Sequence, residues 1–293
     1  MASQQDIKRR IRSVRNTRKV TKAMELVSGA KLRRAQLRIE ALRPFADAMA
    51  ELIGEAAGRT RVQGQPLLEQ RESPNNVAIL LLTGDRGLAG GFNASAVRRA
   101  VEEAQRAETE GLGVRWLVIG RKGAGTVRFR GFTVDQAWTG FTDRPTYQDA
   151  EAIAHRVIEL FAAGEVDRVV MVYNAFRSAL VQEIAADVLL PLAAPEIREK
   201  SPREIAMEGL LLFEPEADEM LATLLPTAVE TAIYRALLES AASEHGARMS
   251  AMRSASDNAS ELIEGYTLAM NRARQAEITQ AILEVVAGAD ALQ

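Results

Sequence analysis

The chain has 293 residues, 47% apolar and 26% charged, enough for one or two domains with real cores. It holds no cysteine, which excludes disulfides, thiolate metal sites and a cysteine nucleophile, and its two histidines, His155 and His245, stand far apart without metal-ligand spacing. The net charge of −2 hides an asymmetry: residues 1–40 carry twelve Lys and Arg against three Asp and Glu, and such a block calls for an acidic partner, whether nucleic acid, an anionic membrane or an acidic protein surface.

Residues 4–58 read as one very long helix with a single proline, Pro44. Apolar residues at Ile7, Ile11 and Val14, then Leu32, Ala35, Ile39, Leu42, Ala46, Met49 and Ile53, keep one stripe facing a partner helix. Between them the same register gives Arg18, Thr21, Glu25 and Ser28, so the seam is expected to break over Arg15–Ala30. A polar stretch with Gly64, Pro66 and Pro74 ends this segment.

Strand and helix patterns then alternate. Val77–Thr83 is a buried-type strand, Asn93–Glu108 a helix capped by Asn93, Val114–Gly120 and Phe132–Trp138 strands, Thr146–Ala163 a helix, and Arg168–Phe176 and Leu180–Leu190 extended runs. The alternation predicts a Rossmann-like α/β domain on a partly parallel sheet. Two glycine-rich loops, Thr83–Asn93 and Gly120–Gly125, lack both the phosphate-loop and the dinucleotide fingerprints, and tight turning explains their glycines.

Residues 226–287 read as a second long helix. Its stripe is Ala255, Ala259, Leu262, Tyr266, Ala269, Ala273, Ala276, Gln280 and Leu283, small enough for close axes. The expected fold is mixed α+β and α/β: a long antiparallel coiled coil of terminal helices (residues 1–58 and 215–288) with an α/β domain (residues 74–205) inserted between them. The longest aliphatic run, Val77–Leu82, is far short of the ~20 residues of a membrane span. The polar, basic start has no signal core, so a cytosolic or cytosol-facing chain is expected. No catalytic constellation emerges, and no cofactor or metal is implied.

Several segments together resemble the gamma subunit of F-type ATP synthase. Ile11-Arg12-Ser13-Val14-Arg15-Asn16-Thr17-Arg18-Lys19-Val20-Thr21-Lys22-Ala23-Met24 matches that family's opening helix, and Arg43-Pro44-Phe45 follows as it does there. The Asp85–Asn93 loop is similar to the family's T-D-R-G-L-C-G-x-x-N, with Gly84 and Ala89 departing from it. Met252–Ala259 and Asn271–Gln280 match the closing helix. The resemblance implies a central-stalk rotor shaft coupling the membrane c ring to three catalytic beta subunits. Its partners would be three alpha, three beta, epsilon and the c-subunit ring.

By motif, Arg274, Gln275 and Thr279 would meet a catch loop of beta, and Met24, Lys19 and Lys22 its acidic lever. Asp85 and Arg86 would lie near the same lower ends. Leu211, Phe213 and Glu214 would pack towards the c ring and epsilon. The chain lacks the cysteine-bearing insert of chloroplast relatives, and no mitochondrial targeting peptide precedes Met1. A bacterial protein, peripheral on the cytoplasmic face of the plasma membrane, is therefore expected. The alternative is a basic coiled-coil nucleic-acid-binding protein, against which the 5% aromatic content and the acidic remainder argue.

Overall fold

The computed structural model describes residues 4–59, 65–71, 73–178, 181–192 and 217–290. Two long helices bracket the chain. Helix α1 covers Gln4–Arg59, 56 residues, and α5 covers Ala217–Asp290, 74 residues. At 1.5 Å per residue they run roughly 84 and 110 Å.

Helix α5 starts at Ala217, ahead of Pro226, so the proline from which the long-helix pattern was read lies inside it. The proline is tolerated inside the helix because the flanking turns are held by packing: Leu221, Leu225, Val229 and Ile233 are all buried on one face. This helix also contains a stretch long and apolar enough to cross a membrane, with a mean hydropathy of 1.2, and nearly half of that stretch is buried in the protein.

Between the helices lies a five-stranded sheet: β1 (Asn76–Leu82), β2 (Gly113–Ile119), β3 (Val134–Trp138), β4 (Arg168–Phe176) and β5 (Gln182–Leu190). The order is β3-β2-β1-β4-β5. The first four strands run parallel, and β5 returns antiparallel along β4. Strand β1 is central and covered on both faces, which is why Val77–Leu82 is an unbroken apolar run.

Helices α2 (Phe92–Thr109) and α3 (Arg121–Phe129) cover one face, where Ala96, Ala100, Ala104 and Val127 pack on Ile79, Leu81 and Val118. Helix α4 (Tyr147–Ala162) covers the other through Ile153, Val157 and Phe161. Leu80 and Leu117 there also join a cluster with Met49 and Ile53 of α1 and Leu221–Leu237 positions of α5. Helix α4 is opened by Thr146, whose side chain accepts from the Asp149 N–H while the Asp149 carboxylate accepts from the Thr146 N–H.

Three local expectations change. The Gly120–Gly125 segment is the first turn of helix α3, not a loop, because Gly123 and Ala124 are buried among helix-face positions continued by Val127. Strand β3 begins at Val134 rather than Phe132, whose ring instead stacks tilted on Trp116 at 5.1 Å. Helix α2 starts at Phe92 after Gly91, and Asn93 caps nothing; its Oδ1 accepts from the Gly84 N–H at 2.8 Å.

By internal contacts the chain forms two compact units, Met1–Gly29 with Arg248–Gln293, and Ala30–Ala247. In the larger unit Arg71 ties the approach to β1 to the end of α4. It pairs with the Asp167 carboxylate, donates to the Phe161 carbonyl at 2.7 Å and lies 5.2 Å over the Phe161 ring. Burial pushes the Asp167 carboxyl up, but Arg71 and the N–H groups of Asn75 and Asn76 outweigh it and hold it below the usual carboxylate range.

A carboxyl with a lower pKa folded than unfolded stabilises above its unfolded value, about 4, and loses that contribution as pH falls through the folded value. Asp167→Asn should therefore be less stable than the parent at neutral pH and lose less on acidification below about pH 4. Urea melts across that range would show converging curves; parallel ones would contradict the assignment.

Candidate functional site

Two regions carry the residues singled out by sequence. The first is the loop leaving β1, at the carboxyl ends of the parallel strands, where α/β proteins commonly bind phosphates at a helix N-terminus. Here that helix end is already filled. The first-turn N–H groups of α3 donate to protein acceptors: Arg121 to Asp85 Oδ1 at 3.0 Å, Lys122 to the Gly84 carbonyl at 3.1 Å and Gly123 to Thr83 Oγ1 at 2.9 Å.

Asp85 Oδ2 accepts from the Gly140 N–H at 2.7 Å and from the Thr142 hydroxyl at 3.0 Å, while Asp85 N–H donates to Thr142 Oγ1 at 2.9 Å. An aspartate thus occupies the seat a phosphate would take, clasping the ends of β1 and β3 to the start of α3. The loop also packs closely on α5: a β-carbon at Gly84 would lie 2.7 Å from the Glu244 carboxyl, which would have to shift to admit it.

Beyond this clasp the loop points outward. Arg86 is exposed, and Leu88 is 64% exposed with φ of +62°, a conformation that a non-glycine residue adopts at some strain. The sequence reading put Asp85 and Arg86 together as contact residues. The structure separates their work: Asp85 is spent inside the loop and Arg86 is presented.

The second region is the smaller unit. Its helices run antiparallel, with Thr21 beside Ser256 (2.7 Å between hydroxyl oxygens), Arg18 donating to Ser260 at 3.3 Å, and Glu25 beside Arg253 (3.1 Å). The seam does not break over Arg15–Ala30 as the apolar pattern implied. Thr21, Glu25 and Ser28 stay in register and are buried, whereas Val20, Leu26 and Val27 are exposed.

The contacts are polar rather than absent. Glu25 accepts from Lys22 and from Arg253, and those hydrogen bonds hold its carboxyl below the usual range. On α5 the facing residues are Met252, Ser256, Ala259, Ile263, Tyr266, Met270 and Ala273. Only Ala259, Tyr266 and Ala273 belong to the expected stripe, and Leu262 is exposed.

Every pair across this seam sums to nearly the same residue number, so Gln4, the first described residue of α1, reaches about residue 274 of α5. From Arg274 to Ala287 every residue is exposed, including Ile278, Ile282, Leu283, Val285 and Val286. Arg274, Gln275 and Thr279 sit on this unpaired end. Lys19 and Lys22 are exposed and Met24 is half-buried on α1, opposite residues near 254–259, so they and Arg274 are roughly 22–30 Å apart along the helices. Leu211, Phe213 and Glu214 lie outside the described residues. Among the described residues no cluster of three or more His, Asp or Glu could hold a metal.

Against known proteins, the family model described as ATP synthase matches residues 3–292. The chain belongs to the ATP synthase gamma-chain family. It is 45% identical to the ATP synthase gamma chain of Rubrobacter xylanophilus over 292 residues, covering 100% of this chain and 99% of that one. The gamma chain of Streptomyces avermitilis is also 45% identical, with 97% and 94% covered.

Among solved structures, the central stalk and c-ring assembly of the Tetrahymena thermophila mitochondrial ATP synthase contains a chain 26% identical, with a TM-score of 0.60, covering 81% of this chain and 99% of that one. A chain of the Euglena gracilis mitochondrial enzyme aligns over 99% of this one and 94% of its own length, with a TM-score of 0.68 at 17% identity, a likeness of fold. These relatives account for the paired terminal helices and the inserted α/β domain, and they give the nucleic-acid reading no support.

The sequence reading missed Glu25, Arg253, Thr83 and Thr142 as organising residues. Arg253 lies within the matched closing segment and Glu25 directly follows the matched opening one, and the two could have been paired there, because a charged residue in a seam register wants an opposite charge facing it.

Proposed function

We propose that this chain is the central-stalk rotor subunit of a bacterial F-type ATP synthase, coupling turning of a membrane c ring to conformational change at catalytic beta subunits. Its partners are three alpha and three beta subunits, epsilon and the c-subunit ring. It carries no catalytic site, and it sits peripherally on the cytoplasmic face of the plasma membrane through the complex.

The observation that carries this reading is the end of α5, which outruns its partner helix and presents a continuous exposed band of apolar side chains beside Arg274, Gln275 and Thr279. An apolar helix end is unfavourable in water and is suited to a greasy sleeve made by other chains. A ring of three equivalent sites cannot make equal contacts with one shaft whose sides differ. Turning the shaft therefore presents a different side chain set to each site in succession, and differential contact is what shifts a conformational equilibrium.

In this reading Arg274, Gln275 and Thr279 engage beta near the tip. Lys19, Lys22 and Met24 face an acidic beta segment, and Arg86, presented by the loop that Asp85 holds, is assigned to beta as well. Leu211, Phe213 and Glu214 are assigned towards the c ring and epsilon.

The test is Arg274→Ala with Gln275→Ala in the reassembled complex. Loss of charged hydrogen bonds across an interface amounts to about 1.5–3 kcal/mol, so ATP-driven ion pumping should fall about ten- to a hundredfold. The side chains are exposed, so the subunit itself should melt unchanged. Full pumping and synthesis in the double variant would remove these residues from the contact.

A further inference from the structure

The larger unit contains a cleft of about 280 Å³ that neither the seam nor the helix tip explains. One wall is α1, where Lys31, Arg34 and Arg38 recur at three- and four-residue spacing and so share a face. The opposite wall is the Asp143–Pro145 loop ahead of α4, with Arg144, and the floor is α5, with His245 buried at 2% exposure.

Four cations thus line the cleft against a single carboxylate, and that carboxylate is engaged: Asp143 accepts from Lys31 at 2.8 and 2.5 Å. Burial pushes Asp143 up, but Lys31, His245 and Arg86 bring it below the usual range, so it stays charged and keeps Lys31 occupied. The surplus positive charge is therefore carried by the three guanidinium groups.

Their preparation differs. Arg38 is pre-positioned: one terminal amino group donates to the Pro145 carbonyl at 2.6 Å and to the Tyr234 hydroxyl at 3.1 Å, and among the described residues its other donors are left for a ligand. Tyr234 is itself packed edge-on against Tyr147 at 5.6 Å, so the anchor is rigid. Arg34 and Arg144 are exposed at the mouth. His245 Nε2 lies 3.3 Å from the Asp143 carbonyl and fixes the loop that carries Arg144.

We propose that this cleft binds a small phosphate oxyanion, held by Arg38 from below and by Arg34 and Arg144 from the mouth. Three forked cations converging on a concave site suit a tetrahedral anion with several acceptor oxygens better than a planar carboxylate, which two donors satisfy. The anion is inorganic phosphate or the terminal phosphoryl group of a small solute; the chemistry recognised is the same. When bound it bridges α1 to the loop before α4 and tightens that face of the unit.

Equilibrium dialysis of the full-length chain against labelled inorganic phosphate, at fixed ionic strength, tests this. Saturable binding of one phosphate per chain is expected. Arg34→Gln with Arg144→Gln should weaken it at least about tenfold, because each removes a charge-assisted hydrogen bond. Both side chains are exposed, and among the described residues that of Arg34 bonds only its own helix, at the Ala30 carbonyl. Circular dichroism should match the parent.

Arg38→Lys, which keeps the charge and loses the fork, is a second variant and should also weaken binding. Stronger competition by pyrophosphate or ADP than by phosphate would assign the site to a solute's phosphoryl group, and the reverse to free phosphate. Absence of saturable binding up to about 10 mM, or equal binding by the parent and all variants, would overturn the proposal.

Discussion

Replacing Gly120 with alanine is expected to destabilise the chain by about 4 kcal/mol or more. Gly120 leaves β2 at φ of +94°, and a β-carbon there would stand 2.2 Å from the Thr83 carbonyl oxygen and 2.7 Å from its hydroxyl. The obstruction is backbone, so no rotamer change relieves it. Thr83 and Gly120 are also pinned from both sides, Thr83 N–H donating to the Ile119 carbonyl at 2.9 Å and Gly120 N–H to the Trp138 carbonyl at 2.8 Å. Accommodating one methyl would mean prying apart neighbouring central strands. A urea midpoint close to the parent's would show that this junction yields far more easily than its geometry implies.

Asp85→Ala is expected to produce the second largest effect, about 2–3 kcal/mol, with the loss confined to one end of the sheet. It strips the acceptor from the backbone N–H groups of Arg121, Gly140 and Thr142 together. Because two of these bonds are at the surface, water recovers part of the loss, which keeps the figure below that of three buried orphans. Asp85→Asn keeps an acceptor and should lie between. Hydrogen exchange at these three amides is the sharp readout: faster exchange there, with β1 and β4 amides unchanged, is the expected pattern. Unchanged exchange would mean the clasp is made elsewhere.

What the sequence made legible follows from what hydrophobic pattern can carry. The central strand was readable because Val77–Leu82 has to be apolar on both faces, and α4 because Ala150, Ile153, Val157 and Leu160 keep one unbroken helical stripe. The seam of the terminal helices was only half readable. On α5 alanine recurs in several helical rows, and being neither large nor polar it does not choose among them; Met252, Ile263 and Met270 do, and they set the true row.

On α1 the polar row Thr21, Glu25 and Ser28 looked like an interruption. Its burial becomes favourable only when Ser256 and Arg253 face it, and these partners lie more than two hundred residues away in the chain. Helix α3 was hidden because glycines at 120, 123 and 125 weaken a helical signal. Two of the three are demanded by Thr83, against which they pack, a constraint no local window contains.

The contact residues show the same division. The unpaired state of Arg274, Gln275 and Thr279 depends on where the other helix ends, so sequence motifs could name these residues but could not expose them. Asp85 and Arg86 are neighbours in a motif, yet one faces in and one faces out, a difference set by the Gly140–Thr142 turn.

The most direct test of the rotor reading is to watch the chain turn. The sequence has no cysteine, so Phe129→Cys on α3, at a side chain 92% exposed, gives a single attachment point for a bead. With alpha and beta subunits fixed to a surface and ATP supplied, the account predicts one-way rotation of the bead with three pauses per turn, one for each beta subunit. A bead that stays still while the same immobilised complex hydrolyses ATP would contradict it.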